Sequence, residues 1–398
     1  MSKNIERIER KNTNSVKYEP KALEHLCGNP VAEPFWVADM DLASPPKAKE
    51  ELIKLAQLGT YGYPAFDDLD EIFLQWVQKR HSLTLSQSSI AISPGILASI
   101  AAMTELIPNA DIIIPMPAYK PFVDIANSHN RRIHKWTLSY DREVGRFDLD
   151  FDKLQEITSR PGKKILYFCS PHNPSGRVWS KEDLLRTAQI CKDHNIIVFS
   201  DEIHCDLTFP SQKHIPFIEI ANQIGVEAVV FMAPSKTFNI AGEHFSATIF
   251  TNAERCKQFK TYLSKMRLDG IALFSGTAAR ACYKYGYDWL MDITAYLEEN
   301  AKAINDYIEK EIPQLKFIMP QASFITFIDC SELRKLLTKA RPEMDLVHFL
   351  GIEAKVAVND GSWFGEDYED FVRFNFGTDR EHVLKALERI KDAIQKID

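Results

Sequence analysis

Lys236 follows the apolar run Ala228–Met232, inside Ala233-Pro234-Ser235-Lys236-Thr237-Phe238-Asn239. Desolvation in such a place lowers a lysine's pKa and makes its amine a nucleophile able to form a Schiff base. An ordinary surface lysine in a loop is the plain alternative. Asp201 directly follows Ile196–Ser200. A carboxylate at a strand's end, away from water, is costly without a cationic partner, so Asp201 either awaits a cation or serves as a helix cap or in a salt bridge. Asn173, in Ser170-Pro171-His172-Asn173-Pro174-Ser175-Gly176 after Lys164–Cys169, can reach into a cleft as donor or acceptor; Asn-Pro-x-Gly is also a common turn. Tyr119, among the prolines of Pro115–Phe122 after Ile112–Ile114, can offer a ring face to a flat ligand or simply pack in its loop. Gly95 stands between Ile90–Ser93 and a helix opening at Ile96 and Leu97. Amides at such a helix start suit a phosphate. Alone it is only a turn, and the run is not the Gly-x-Gly-x-x-Gly of dinucleotide sites.

Taken together the five features are more specific. Phosphate cup, ring face, Asn, Asp and Lys each follow a strand-like run, and ligands of open α/β sheets bind beyond the strands' carboxyl ends. An aldehyde bearing a phosphate, a phenolic oxygen and a pyridine nitrogen needs this set of partners. Pyridoxal 5′-phosphate (PLP) is the expected cofactor.

The elements that must position these residues alternate. Helical stretches are read at Lys47–Leu58, Asp68–Arg80, Leu97–Leu106 and Lys181–His194, and a further strand at Ala247–Phe250. Short apolar runs interleaved with helices predict an α/β fold, a mostly parallel sheet sandwiched by helices. Beyond residue 285 come a long amphipathic helix, Tyr287–Glu311, strands at Ser323–Ile328 and Asp370–Asn375, and helices near Leu346–Leu350 and at Glu381–Ile397. These predict a smaller α+β domain. Residues 1–46, rich in Asn-Pro, Glu-Pro and Pro-Pro pairs that discourage regular structure, read as an N-terminal arm or part of the small domain. Residues 47–285 read as the large PLP-binding domain and 286–398 as the small C-terminal domain. At 398 residues, 45% hydrophobic and 26% charged, the chain can bury a large core. A net charge of -7 leaves no basic footprint for nucleic acid, and no apolar run approaches a membrane span. The polar start of the chain and seven scattered cysteines, none in C-x-x-C, predict a cytoplasmic protein with reduced thiols and no metal centre.

The sequence resembles the fold-type I PLP enzymes of the class I/II aminotransferase superfamily, and more narrowly their cystathionine β-lyase/cystalysin-like C–S lyase branch. The likeness rests on Trp36-Val37-Ala38-Asp39-Met40-Asp41, Gly62-Tyr63, residues 169–179, Ser200-Asp201-Glu202-Ile203-His204, residues 233–242 and Arg373-Phe374-Asn375. It implies that Lys236 carries PLP, Asp201 pairs with its pyridine nitrogen, Asn173 with its phenolic oxygen, and Tyr119 stacks on its ring, with His204 beside it. It assigns the phosphate to Gly95, the amides of Ile96 and Leu97, and Ser235. Tyr63 would reach the phosphate of a neighbouring subunit in a homodimer whose active sites lie at the interface. Arg373 would clamp the carboxylate of a small amino-acid substrate, with Ala38 and Asn173 alongside.

Some positions depart from the wider superfamily or from the branch. His204 stands where many aminotransferases have Tyr, as in the lyase branch. Lys120 replaces a frequent second aromatic, Glu243-His244 a small apolar or Met pair, and residues 362–372 are acidic rather than Gly-rich. They bear on the substrate and leave the cofactor set intact. The expected reaction is α,β-elimination from cystathionine- or cysteine-like L-amino acids to pyruvate, ammonia and a thiol. Aminotransfer uses the same residues and is the alternative; a PLP-retaining binding module is the third reading, disfavoured by the intact Lys, Asp, Asn and Arg.

Overall fold

The computed structural model describes residues 5–397; residues 1–4 of the arm and residue 398 lie outside the described residues. The large sheet has seven strands: β1 (Ile90–Ser93), β2 (Asp111–Met116), β3 (Ile133–Thr137), β4 (Lys164–Cys169), β5 (Ile197–Asp201), β6 (Ala228–Met232) and β7 (Ser246–Phe250). Their spatial order is β1-β7-β6-β5-β4-β2-β3. β2 to β6 run parallel to their neighbours with β3 at the edge, and β7 lies antiparallel to both β1 and β6. β4 to β7 are buried at every residue, which is why they read as continuous apolar runs.

Edge strand β3 has no counterpart in the sequence reading. Its Ile-His-Lys-Trp-Thr alternates buried and exposed residues, the pattern of a half-covered edge rather than of an apolar run. Helix Leu273–Tyr285 was equally silent in the sequence, being built on Ser, Gly, Thr and Ala that show little amphipathic contrast. Helix Lys181–Asp193 opens on a Ser180–Asp183 capping box.

The long helix Tyr287–Glu311 stands where the periodicity places it. Beyond it lies a four-stranded antiparallel sheet, ordered Lys316–Phe317, Ile325–Asp329, Phe371–Asn375, Asn359–Asp360. The arm is more regular than its prolines suggest. Pro20–Cys27 forms a helix with Pro at its first position, where no amide hydrogen is needed. Glu33–Pro34 then pairs in parallel with Val356–Ala357, so the arm joins the small sheet's side of the molecule. All seven cysteines are free and buried.

Candidate active site

Register along the central strands brings the chemistry together. Cys169, at the end of β4, pairs with Asp201 at the end of β5, and Asp201 with Phe231 of β6. Lys236 lies four residues past the end of β6, in the short helix Pro234–Thr237. Beyond these strand ends opens a cavity of about 350 Å³, lined by Ala38, Gly95, Ile96, Leu97, Tyr119, Asn173, Asp201, His204, Ser235 and Lys236 together with Glu243 and His244.

Gly95 holds φ at +126°, a conformation that a side chain would strain, and its turn opens helix Ile96–Glu105. The free amides of that helix start face an anion's natural place. A buried serine cluster braces the turn from beneath: Ser93 Oγ lies 2.6 Å from Ser99 Oγ and 2.7 Å from Ser246 Oγ, and Ser99 donates to the Gly95 carbonyl at 3.0 Å.

Lys236 donates to the Ala38 carbonyl at 2.6 Å. Burial lowers its amine to about 8, against the opposing pull of Asp39, so a sizeable neutral, nucleophilic fraction exists near neutrality. Thr237 ties the lysine's helix down, donating to Asp206 at 2.9 Å. Asp206 also accepts from Trp76 at 3.1 Å and pairs with His81 at 2.8 Å. Burial alone would raise Asp206, but the His81 hydrogen bond and the charges around it hold the carboxylate below its usual range. A second buried pair, Glu202 with His214 at 2.8 Å, stands beside it. Cys205 lies within ligand reach of both pairs, yet His81 Nε2 and His214 Nε2 already face Asp206 and Glu202.

Asp201 is buried, and burial pushes its carboxyl up to about 7. One oxygen accepts from the Ile203 amide at 3.1 Å; the other has no partner among the described residues. Lys236 pulls against that rise but does not bond the carboxyl, and a pyridinium N–H would supply a bonded cation. Asn173 is likewise incomplete: Oδ1 accepts only a long 3.4 Å bond from Arg373, and Nδ2 has no partner among the described residues. A neutral-prone amine, an uncompensated carboxyl, a free amide and an anion cup are the donor set PLP requires, and the residues fit it.

His204 is neutral: burial first, then Lys236 and Arg373, lower it to about 3, and its Nδ1 lies 3.0 Å from Ser323 Oγ. Arg373 projects from the small sheet, directly opposite Asn359 in register. It donates to Asn359 Oδ1 at 2.7 Å and to the Trp36 carbonyl at 2.8 Å, while its buried Nε has no partner. Asn359, and Phe364 whose ring lies 5.0 Å under the guanidinium, escaped the sequence reading. Their link to Arg373 crosses the sheet and leaves no local motif.

Segment 36–42 crosses between the two sides. Asn375 donates to the carbonyls of Val37 and Asp39, while Asn239 accepts from the Met40 amide at 2.8 Å and donates to the carbonyls of Met40 and Leu42 at 2.9 and 2.8 Å. Buried Lys17 binds Asp41 at 3.0 Å, and Arg10 binds Asp39 at 2.7 Å. Of the residues singled out in the sequence, the departure at position 120 and the expected Tyr63 stand apart. Lys120 is exposed and paired with Asp124 at 2.8 Å, away from the cavity. Tyr63 is fully exposed in the single chain, within a stretch, residues 56–65, exposed throughout.

Residues 37–390 match the family described as Aminotransferase class I and II. The chain is similar to cystathionine beta-lyase PatB of Bacillus subtilis, 34% identical over 98% of both chains. Among solved structures it is similar to the PLP-bound C–S lyase of Staphylococcus hominis, at TM-score 0.88 and 29% identity over 98% of this chain and 97% of that one. It is also similar to PLP-containing cystalysin of Treponema denticola, at TM-score 0.89 and 27% identity over the whole of both chains.

Proposed function

The chain belongs to the class I and II aminotransferase family, and from that premise we propose that it is a PLP-dependent carbon–sulfur β-lyase. It eliminates the thiol from Cβ of cystathionine- or cysteine-like L-amino acids, giving pyruvate and ammonia. The observation that carries the lyase reading is the end-to-end likeness to a cystathionine β-lyase.

PLP, when bound, serves as the electron sink for the substrate's Cα carbanion. Lys236 would hold its aldehyde carbon, Asp201 its pyridine nitrogen, and Asn173 its phenolic oxygen. Tyr119 would cover the ring, with His204 beside it, and Gly95, Ile96, Leu97 and Ser235 would hold the phosphate. Arg373 fixes the substrate carboxylate through the face that its unpartnered Nε leaves available, a planar fork suited to that group. Ala38 and Asn173 border the same space. Lys236 takes the Cα proton on Nζ. Its lowered pKa leaves it ready to receive one. The Cβ–S bond then breaks, the leaving thiolate takes up the proton that Lys236 Nζ carries, and the enamine reacts with water to give pyruvate and ammonia. His204, neutral throughout, orients without adding charge.

Residues 47–285 act as the cofactor-binding unit, and 286–398 with the arm as the unit that closes the substrate side. The working unit is a homodimer, in which exposed Tyr63 reaches the partner subunit's phosphate. The compartment is the cytoplasm, which suits seven buried free thiols; no helix among the described residues is long and apolar enough to cross a membrane. The test is pyruvate release from L-cystathionine by PLP-loaded protein without a 2-oxo acid. Repeated turnovers with equal ammonia and free thiol are expected. Amino transfer to an added 2-oxo acid, with no pyruvate from cystathionine, would make it an aminotransferase.

A further inference from the structure

Glu243 lines the active-site cavity together with Lys236 and Asp201. It also lines a second cavity of about 390 Å³ bounded by Ile8, Met40, Leu42 and Leu52, whose one cationic side chain, Arg10, is already paired with Asp39 at 2.7 Å. Glu243, with Ala241, is thus common to the linings of both spaces. Its Oε2 accepts from Ser275 Oγ at 2.9 Å, which fixes the carboxylate from helix Leu273–Tyr285. Its Oε1 has no partner, and no lysine, arginine or histidine pairs with it, among the described residues. A half-buried carboxylate without a counter-ion favours an incoming cation, gains nothing from an apolar group and repels an anion.

We propose that Glu243 determines specificity by binding the far end of the leaving group, selecting S-substituted L-cysteines whose thiol carries an ammonium. The inference rests on the lyase reading and names the substrate class of that same site. It does not require Glu243 to touch the reacting bonds.

The test compares three thioethers on the PLP holoenzyme: S-(2-aminoethyl)-L-cysteine, its uncharged isostere S-propyl-L-cysteine, and S-carboxymethyl-L-cysteine. Wild type is expected to favour the aminoethyl compound over the propyl one by about threefold in kcat/KM, the scale of a partly screened ion pair. Glu243→Gln keeps an acceptor for Ser275 and should bring that ratio close to one. Glu243→Lys should move the preference to the carboxymethyl compound. A wild type that prefers the propyl compound, or ratios unchanged in both variants, overturns the proposal. Ligand-induced change in cofactor absorbance ranks the same compounds by binding, without elimination. Absence of pyruvate from all three overturns the lyase reading, while the absorbance ranking still decides the role of Glu243.

Discussion

The floor and the rim of the cavity hold their charged groups in opposite ways. On the floor, Asp201, His204 and Lys236 follow β5 and β6, and burial displaces all three from their ordinary pKa values. On the rim, Glu243 and His244 sit on a loop, partly open to solvent. Low dielectric and fixed geometry make the floor the place for bond breaking, where a protonation state must be set before the substrate arrives. Water at the rim makes charge there a matter of preference among ligands. On the proposed function, chemistry and selection would be held by separate parts of the chain.

Substitutions can break this contrast. Lys236→Ala should abolish elimination, by at least about 10⁴-fold, and remove the protein-bound cofactor absorbance. Asp206→Ala tests the floor's foundations: with His81, Trp76 and Thr237 left unpaired, unfolding by denaturant should show a loss of about 4 kcal/mol. Arg373→Ala should raise KM about a hundredfold, more than it lowers kcat, because it removes a buried charge partner of the substrate. A smaller effect follows from pH. Because burial lowers Lys236 to about 8, its neutral amine dominates above that pH and declines below it. PLP capture by the cofactor-free protein should therefore slow about tenfold for each unit below 8 and level off above, as stopped-flow absorbance would read. At the outer surface, Lys120→Ala should change kcat/KM by less than about twofold; a larger effect would extend the rim beyond the cavity's lining.

Legibility in the sequence followed the same division. β4 and β6 could be bounded from sequence because both faces are covered, and such burial selects unbroken apolar residues. The residues after them could then be read for chemistry. Edge strand β3, covered on one face, carries His134 and Lys135 and looks like neither a strand run nor a helix. The arm helix Pro20–Cys27 hid behind its prolines. Asn359 and Phe364 owe their place beside Arg373 to pairing across a sheet, and Glu243 owes its open oxygen to a helix thirty residues on. Neither relation has a local period. The motif Asp201, Lys236, Asn173 was legible because each residue follows its own strand.

Segment 36–42 is anchored at one end by Asn375, two residues from Arg373, and at the other by Asn239, three residues from Lys236. Between the two carbonyls that Asn375 holds, the Ala38 carbonyl accepts from Lys236, and just before them the Trp36 carbonyl accepts from Arg373. A tether fixed at both ends conveys tension. If a substrate carboxylate draws on Arg373, as the proposed function has it, the pull has only two peptide units to cross, from the Trp36 carbonyl to the Ala38 carbonyl that restrains the lysine's amine. Recognition of the substrate and release of the base then become one mechanical event, with the backbone as its connecting rod.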